Sequence, residues 1–395
     1  MTEAWAVIGA NYGDEGKGRT VDLLARRLGP KALVVRSNGG AQAGHSVATA
    51  DGRRHVFHHL GSGALAGAGT HLSRFMVSHP MLLANEVATV AALGGITTVS
   101  ADPRGFVTTP WDMMVNQAAE LARAATRHGS CGLGFGETVG RCEETAFGLT
   151  VGDLARPDLA ERLRAIRGDW LPARLDALGL AAPPFADDDM VLERFLADCA
   201  AFGRLVAMRD DATLGEAPAL VFEAAQGLLL DQRHRDFPHV TRSNTGIANI
   251  AALAEDAGIG RVDAVYVTRC YLTRHGRGPM RDERDIARCF AVDDPTNRPN
   301  SWQESLRFGL IDLDALAADV AADLAKAQAV TVVPHVAVTC LDQARGAIVR
   351  FLTGGTERTL PASAFAAHIG ARLSAATVIQ GWGPAVAAPS VTVAA

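Results

Sequence analysis

Residues 9–18 read Gly-Ala-Asn-Tyr-Gly-Asp-Glu-Gly-Lys-Gly and follow an apolar run. The order is strand, glycine-punctuated loop, helix. Glycine permits tight turns and lets the backbone approach an anion closely. Lys17 adds a cation, and the helix beginning beside it aims its free N–H groups at the same place. Asp14 and Glu15 are out of place in a plain phosphate cradle. A carboxylate repels phosphate unless it binds a metal or takes a proton, so the loop implies chemistry as well as binding. Its spacing is neither G-x-x-x-x-G-K-[ST] nor G-x-G-x-x-G, and in isolation a simple turn is the alternative.

Four more clusters carry candidate groups. Asn38-Gly39-Gly40-Ala41-Gln42-Ala43-Gly44-His45 follows the second strand, where an open parallel sheet forms its ligand crevice. His45 there can act as a general acid or as an electrophile toward developing negative charge; a satisfied loop histidine is the plainer reading. The segment 129–136, Gly-Ser-Cys-Gly-Leu-Gly-Phe-Gly, can hold a phosphate monoester through Ser130 and local N–H groups, or can simply join helices. Phe222-Glu223-Ala224-Ala225-Gln226-Gly227 puts at a strand end an amide able to read a purine through paired donor and acceptor. Thr241-Arg242-Ser243-Asn244-Thr245 is a hydroxyl-rich turn suited to phosphate or sugar, and ordinary polar turns fit both of these last two as well.

The elements that must position these groups read as follows. Strands are expected at 4–9, 32–37, 219–223, 262–268, 330–340 and 377–380, apolar on both faces and β-branched, which implies a parallel sheet covered on both sides. Helices are expected at 20–28, 111–127, 159–167, 172–178 and 189–208, with Gly168 and Pro172 separating the middle pair. Residues 108–212 read as a largely helical insertion in a single domain spanning 1–395. Ala182-Pro183-Pro184 marks a surface turn, and the Ala-rich tail from Ala385 is expected to be poorly ordered. The fold class is therefore α/β: a mostly parallel central sheet with helices on both faces and a helical insertion.

With 395 residues, 48% apolar and 21% charged, the chain reads as a soluble globular enzyme. A net charge of −5 gives no reason to expect nucleic acid or an anionic membrane as partner. No basic-then-apolar leader and no bilayer-length apolar run stands out. The six cysteines form no C-x-x-C pair, which suits a reducing cytoplasm.

Taken in order, the clusters resemble the adenylosuccinate synthetase family. The first loop is similar to GDEGKGK, with Arg19 for the last Lys; 38–45 is similar to NGGNNAGH, 222–231 to FEGAQGxxLD and 240–245 to VTSSNT, while 268–279 is a looser relative of TRVGAGP. The resemblance implies a P-loop-like, Mg²⁺-dependent ligase that joins a purine nucleoside monophosphate (IMP) to L-aspartate using GTP. It implies Asp14, His45 and Lys17 as catalytic residues. Asp14 takes the purine N1 proton and, with the Gly44 carbonyl, holds Mg²⁺; His45 donates to the β/γ-phosphoryl region; Lys17 neutralises the phosphoryl in transit. Nucleotide and phosphate contacts fall to Gly13, Glu15, Gly16, Gly18, Asn38, Gly40, Ser130, Cys131, Gln226, Thr241, Asp342 and Gly381. Arg141 matches an arginine that reaches the partner subunit's nucleotide phosphate, which implies a homodimer.

Three departures accompany the likeness. Leu133 stands where the family has Arg. The family's aspartate-gripping loop is replaced by 299–309, in which only Arg307 survives, leaving Arg242, Arg274, Arg277 or main-chain amides to compensate. The base motif TKLD reads Thr339-Cys340-Leu341-Asp342, and the C-terminal base segment reads Gln380-Gly381-Trp382-Gly383-Pro384, where Trp382 stacks on a base or merely packs. Similar departures mark a divergent branch that includes phage enzymes acting on 2-amino purine deoxynucleotides, some favouring ATP. That branch typically loses the loop Asp, and this chain keeps Asp14. Alternatives are therefore the same chemistry on a dGMP-like or modified nucleotide, use of ATP or another amine donor, and a nucleotide-binding regulator without catalysis.

Overall fold

The computed structural model describes residues 2–124, 127, 129–294, 306–385 and 391–393. Its centre is a sheet of ten strands: β1 (Glu3–Gly9), β2 (Ala32–Arg36), β3 (Gly69–Leu72), β4 (Val99–Ala101), β5 (Val206–Met208), β6 (Ala219–Gly227), β7 (Arg261–Arg269), β8 (Thr331–Thr339), β9 (Thr377–Gln380) and β10 (Val391–Val393). The spatial order is β10-β9-β8-β7-β1-β6-β2-β3-β4-β5. All neighbours pair parallel except β10, which runs antiparallel to β9. Thus β1, which delivers the glycine loop, lies between β6 and β7 near the middle of the sheet, with Trp5 opposite Val221 on one side and Asp263 on the other.

Both faces are covered. On one, helix α1 (Lys17–Leu28) packs Val21, Leu24 and Ala25 against Val7, Val34 and Val221. On the other, helices Ile247–Asp256, Leu313–Leu324 and Ala362–Arg372 join a larger core through Ile250, Leu316 and Phe365. A separate apolar cluster, with Trp111, Leu163, Trp170 and Phe195 at its heart, holds the helices between residues 110 and 205 together. Burying such side chains contributes roughly 1.5–3 kcal/mol each.

The six expected strands are present and four more short ones, β3, β4, β5 and β10, join them. One of these, β5, falls inside the expected 189–208 helix. That helix ends at Leu205, and Val206 turns extended (φ −116°) to pair with Val99. Gly203 lies within the last turn, and pairing with the sheet decides where the chain becomes extended. Gly168 and Pro172 do not separate two helices. Leu159–Ala165 runs through a π turn at Ile166–Trp170 into Leu171–Ala177. Proline is tolerated there because it occupies the opening turn of the last segment, where an N–H has no intrahelical partner. In the tail, Val391–Val393 pairs with β9, against the expected disorder of that stretch; residues 386–390 and 394–395 lie outside the described residues. The helices Pro80–Ala92, Phe135–Glu144, Ile247–Asp256, Leu313–Leu324 and Ala362–Arg372 were not legible in the Ala-rich pattern.

Candidate active site

The loop after β1 is folded by its own acid. Glu15 Oε1 accepts the N–H groups of Asn11 (3.1 Å) and Gly13 (2.7 Å), and Lys17 Nζ donates to the Gly13 carbonyl (2.5 Å) while lying 3.5 Å from Glu15 Oε2. Burial pushes the Glu15 carboxyl up, against the pull of Lys17. The Glu15 side chain therefore shapes the loop, so a phosphate contact at this position falls to its backbone. Gly16 takes φ +95° at the start of α1, a left-handed conformation natural to glycine. A Cβ on Gly9 would lie 2.6 Å from both Glu15 Oε2 and the Gln226 carbonyl, so this close approach requires glycine too.

The second cluster is brought against the first. His45 opens the strand His45–Ala48, which pairs antiparallel with Arg54–Phe57. A Cβ on Gly18 would meet the Ser46 carbonyl at 2.7 Å and the His45 carbonyl carbon at 3.1 Å, so α1 and this strand touch backbone to backbone. The His45 ring is buried. Its Nδ1 lies 2.5 Å from Glu223 Oε1, and its Nε2 has no partner. Ser62 also binds Glu223, through Oγ at 2.5 Å and N–H at 3.0 Å. Arg36, fully buried, sits beside Glu223 in the β2–β6 register. Burial drives the His45 pKa down to about 4 despite Glu223. Burial alone would raise Glu223, but His45, Arg36 and Ser62 outweigh it and hold it at about 2. An ionised carboxylate only accepts, so Nδ1 carries the proton and Nε2 presents a bare lone pair. The sequence reading gave Glu223 no role. Its only signal was an acid within an otherwise apolar strand.

Asp14 is half-buried, and its carboxylate has no hydrogen bond or ion pair among the described residues. Its carbonyl accepts from Arg269 Nε. Gln226, at φ +64°, stacks under Gly13, whose Cβ would lie 3.1 Å from the Gln226 Cα. Ser130 donates to Asn116 (2.8 Å), which with Glu120 pins the 129–134 loop to the Pro110–Arg123 helix; burial pushes the neighbouring Cys131 thiol up. Thr241 is tied by its N–H to the Leu230 carbonyl (2.8 Å). Asn38 is fully engaged: its amide bonds both ways with the Ala225 backbone (2.6 and 3.1 Å) and reaches Ser243 Oγ (3.3 Å). It thus ties the end of β2 to β6. The open amide of this loop is Gln42, whose Oε1 and Nε2 are buried without partners, and which the sequence reading passed over. A cavity of about 320 Å³ adjoins this side, between Arg74, Phe106, Phe135, Arg242, Ser243 and Asn244. Gly40 is bridged to Val77, which lines the cavity with Phe135, and Phe135 lies 3.1 Å from where a Cβ on Gly40 would stand.

The profile of the adenylosuccinate synthetase family matches residues 6–346. This chain belongs to the adenylosuccinate synthetase family. It is 33% identical over 291 residues to the adenylosuccinate synthetase of Myxococcus xanthus, covering 70% of this chain and 65% of that protein. It is 32% identical over 323 residues to that of Anaeromyxobacter dehalogenans strain 2CP-C, covering 76% and 72%. The aligned part thus spans about two thirds of the length of these relatives. Its fold is shared with the fully ligated adenylosuccinate synthetase of Plasmodium falciparum (TM-score 0.71, 17% identity, 97% and 98% of the two chains). It is shared also with the cyanophage S-2L succinoaminodeoxyadenylate synthetase solved with dGMP and dATP (TM-score 0.61, 17% identity, 100% and 96%).

Three further places bear on the expected contacts. Arg141 is 1% exposed and fully engaged inside its own chain. It binds Asp112 (2.8 and 2.9 Å) and the carbonyls of Phe147 (2.7 Å) and Val107 (2.9 Å). A reach to a partner's phosphate would require it to give up these bonds. On the donor side, Arg307 donates to the Gly276 and Gly278 carbonyls (2.9 and 2.8 Å) and to Glu283 (2.6 Å). Arg274 holds the Pro279 and His239 carbonyls, and Arg242 is paired with Glu144. Residues 299–305 lie outside the described residues. At the base motif, Asp342 Oδ1 accepts the Gly383 N–H (2.8 Å) and Leu341 N–H binds the Gly381 carbonyl (3.1 Å), which joins the two expected base segments. Trp382 is 44% exposed beside them, an open ring face.

The residues present suit Mg²⁺. The Asp14 carboxylate, unengaged, and the Gly44 carbonyl are hard oxygen donors of the kind this ion takes. Among the described residues no group of three or more His, Cys, Asp or Glu side chains is placed to hold a metal ion. Among them also, no helix is long and apolar enough to cross a membrane.

Proposed function

We propose that this chain is a carbon–nitrogen ligase that phosphorylates the 6-oxygen of a purine nucleoside monophosphate with GTP and exchanges that phosphate for the amino group of aspartate. IMP, aspartate and GTP would give adenylosuccinate, GDP and phosphate. The observation that carries this is the buried His45. It is held through Nδ1 by Glu223, left open at Nε2, and set against the helix that starts at Lys17.

Asp14 accepts the N1 proton, which turns the 6-oxygen into a nucleophile. That oxygen attacks the γ-phosphorus. Lys17 and the first N–H groups of α1 stabilise the charge on the phosphoryl in transit, where most of the catalysis of such transfers lies. His45 takes up a proton as the triphosphate binds and then donates from Nε2, with Glu223 opposite the resulting charge. The aspartate nitrogen next attacks C6, and phosphate departs in place of a poor hydroxide leaving group. Mg²⁺, held by Asp14 and the Gly44 carbonyl, would neutralise phosphate charge. Gln226, Gln42, Ser130, Cys131 and Thr241 form the monophosphate side, and Asp342 and Gly381 the base side of the triphosphate.

A second reading keeps the chemistry and changes the amine donor. It is favoured by Arg307, held by the Gly276 and Gly278 carbonyls and Glu283, and by Arg274, whose two terminal nitrogens are bound to backbone carbonyls, since a dicarboxylate calls for open cations. One matrix separates the two: IMP, dIMP, GMP and dGMP against GTP and ATP, with Mg²⁺, with and without aspartate, following phosphate release. Aspartate-dependent release with IMP and GTP is expected. Release only with another amine would overturn the donor, and release only with guanine nucleotides as acceptor would move the chain to the 2-amino branch.

A further inference from the structure

Arg19 is a cation without a partner in a place where that matters. It lies in the first turn of α1, two residues after Lys17, and is mostly buried. Among the described residues it forms no hydrogen bond and no ion pair, and its Nε is buried with nothing to bind. The acid one turn along, Asp22, is taken by Arg26 in a two-pronged pair (2.8 and 3.1 Å). Arg19 instead leans toward the two joined base segments. Its Nη1 is 3.3 Å from where a Cβ on Gly381 would stand, and the groups acting on its charge are Cys340, Asp342 and Asp22. Burial lowers its pKa, against the pull of Cys340, Asp342 and Asp22.

A guanidinium is donor-only and forked, whereas a carboxylate is acceptor-only. Side by side, they present opposite demands to the edge of a base. Guanine offers O6 and N7 as neighbouring acceptors, and next to O6 lie the N1–H and N2–H donors. Adenine puts an N6 donor where the fork wants an acceptor and an N1 acceptor where the carboxylate wants a donor. Cys340, standing where the family has Lys, can supply neither charge nor fork. We propose that Arg19 is a specificity-determining residue for the phosphoryl donor, its guanidinium donating to O6 and N7 of guanine while Asp342 accepts from N1 and N2. This rests on the reading above that places the donor's base at 339–342 and 380–383.

The test is calorimetric binding of GDP, IDP and ADP, each with Mg²⁺, to the wild-type chain and to Arg19→Met, Arg19→Lys and Asp342→Asn. Wild type should favour GDP over ADP. Arg19→Met should weaken GDP and IDP alike by about tenfold to one-hundredfold, as expected for one two-pronged base contact, and change ADP by less than about threefold. Arg19→Lys, which keeps the charge without the fork and guards against a folding defect, should fall between. Asp342→Asn should weaken GDP more than IDP, because IDP lacks the N2 donors. Equal binding of GDP and ADP by wild type, or an equal shift of both in Arg19→Met, would overturn the role of Arg19 while leaving the ligase reading intact. Failure of wild type to bind any of the three would instead remove the base site on which the proposal stands.

Discussion

The phosphate side and the donor side of the crevice both gather charged side chains and leave them in opposite states. At the phosphate side, His45 has one nitrogen held and one open, and Asp14 has an unengaged carboxylate. At the donor side, Arg307 and Arg274 are already bound to carbonyls of the 276–279 turn, and Arg307 has Glu283 as well. A half-satisfied buried group is costly and persists where a ligand completes it. An arginine whose terminal nitrogens are held by carbonyls organises backbone. The same residue types therefore carry different meaning, and the partner decides which.

The largest effect tests the open side. His45→Ala should lower turnover about 10²–10⁴-fold in phosphate release, the range for losing a general acid. Glu223→Gln, which leaves the ring without its carboxylate, should cost at least about tenfold. Full activity in either variant would remove His45 from the chemistry.

Next comes Arg141, a closed group that the sequence presented as an open one. Arg141→Met leaves Asp112 buried without its cation and should cost about 3–5 kcal/mol in urea unfolding. A stability change under about 1 kcal/mol together with loss of a dimer in sedimentation would restore the intersubunit role.

His45 also gives a pH signature. Its folded pKa of about 4 lies below the ordinary 6.5. Between these values the unfolded chain binds a proton that the folded chain refuses, so stability should fall as pH drops from 6.5 toward 4. Glu223, held at about 2 against 4.5, extends the loss to lower pH. Urea midpoints across this range, flatter between pH 6.5 and 4 in His45→Asn, would check it. Triphosphate binding at pH 7 should take up a proton, read as a heat that varies with buffer ionisation enthalpy. A buffer-independent heat would show His45 stays neutral.

The smallest effect concerns Glu283→Gln. The Arg307–Glu283 pair is partly exposed and contributes under about 1 kcal/mol. Its removal should lower the KM for aspartate about twofold to fivefold if Arg307 can be recruited. No change would sharpen the contrast and favour another amine.

What the sequence determined alone was the parallel sheet, the phosphate loop and the set of strand-end clusters. Each is local: apolar β-branched runs make strands, and glycine beside lysine makes an anion turn. The short strands β3, β4 and β5 escaped because three or four residues carry too little pattern and pair only once the sheet exists. Tertiary structure alone decided who faces whom. Glu223 reaches His45 from 178 positions away, Asn38 is consumed by Ala225 while Gln42 is left open, and Glu15 turns inward to its own loop. Whether a polar group binds substrate depends on which hydrogen bonds the fold has already made for it, and those bonds join segments that no local pattern relates.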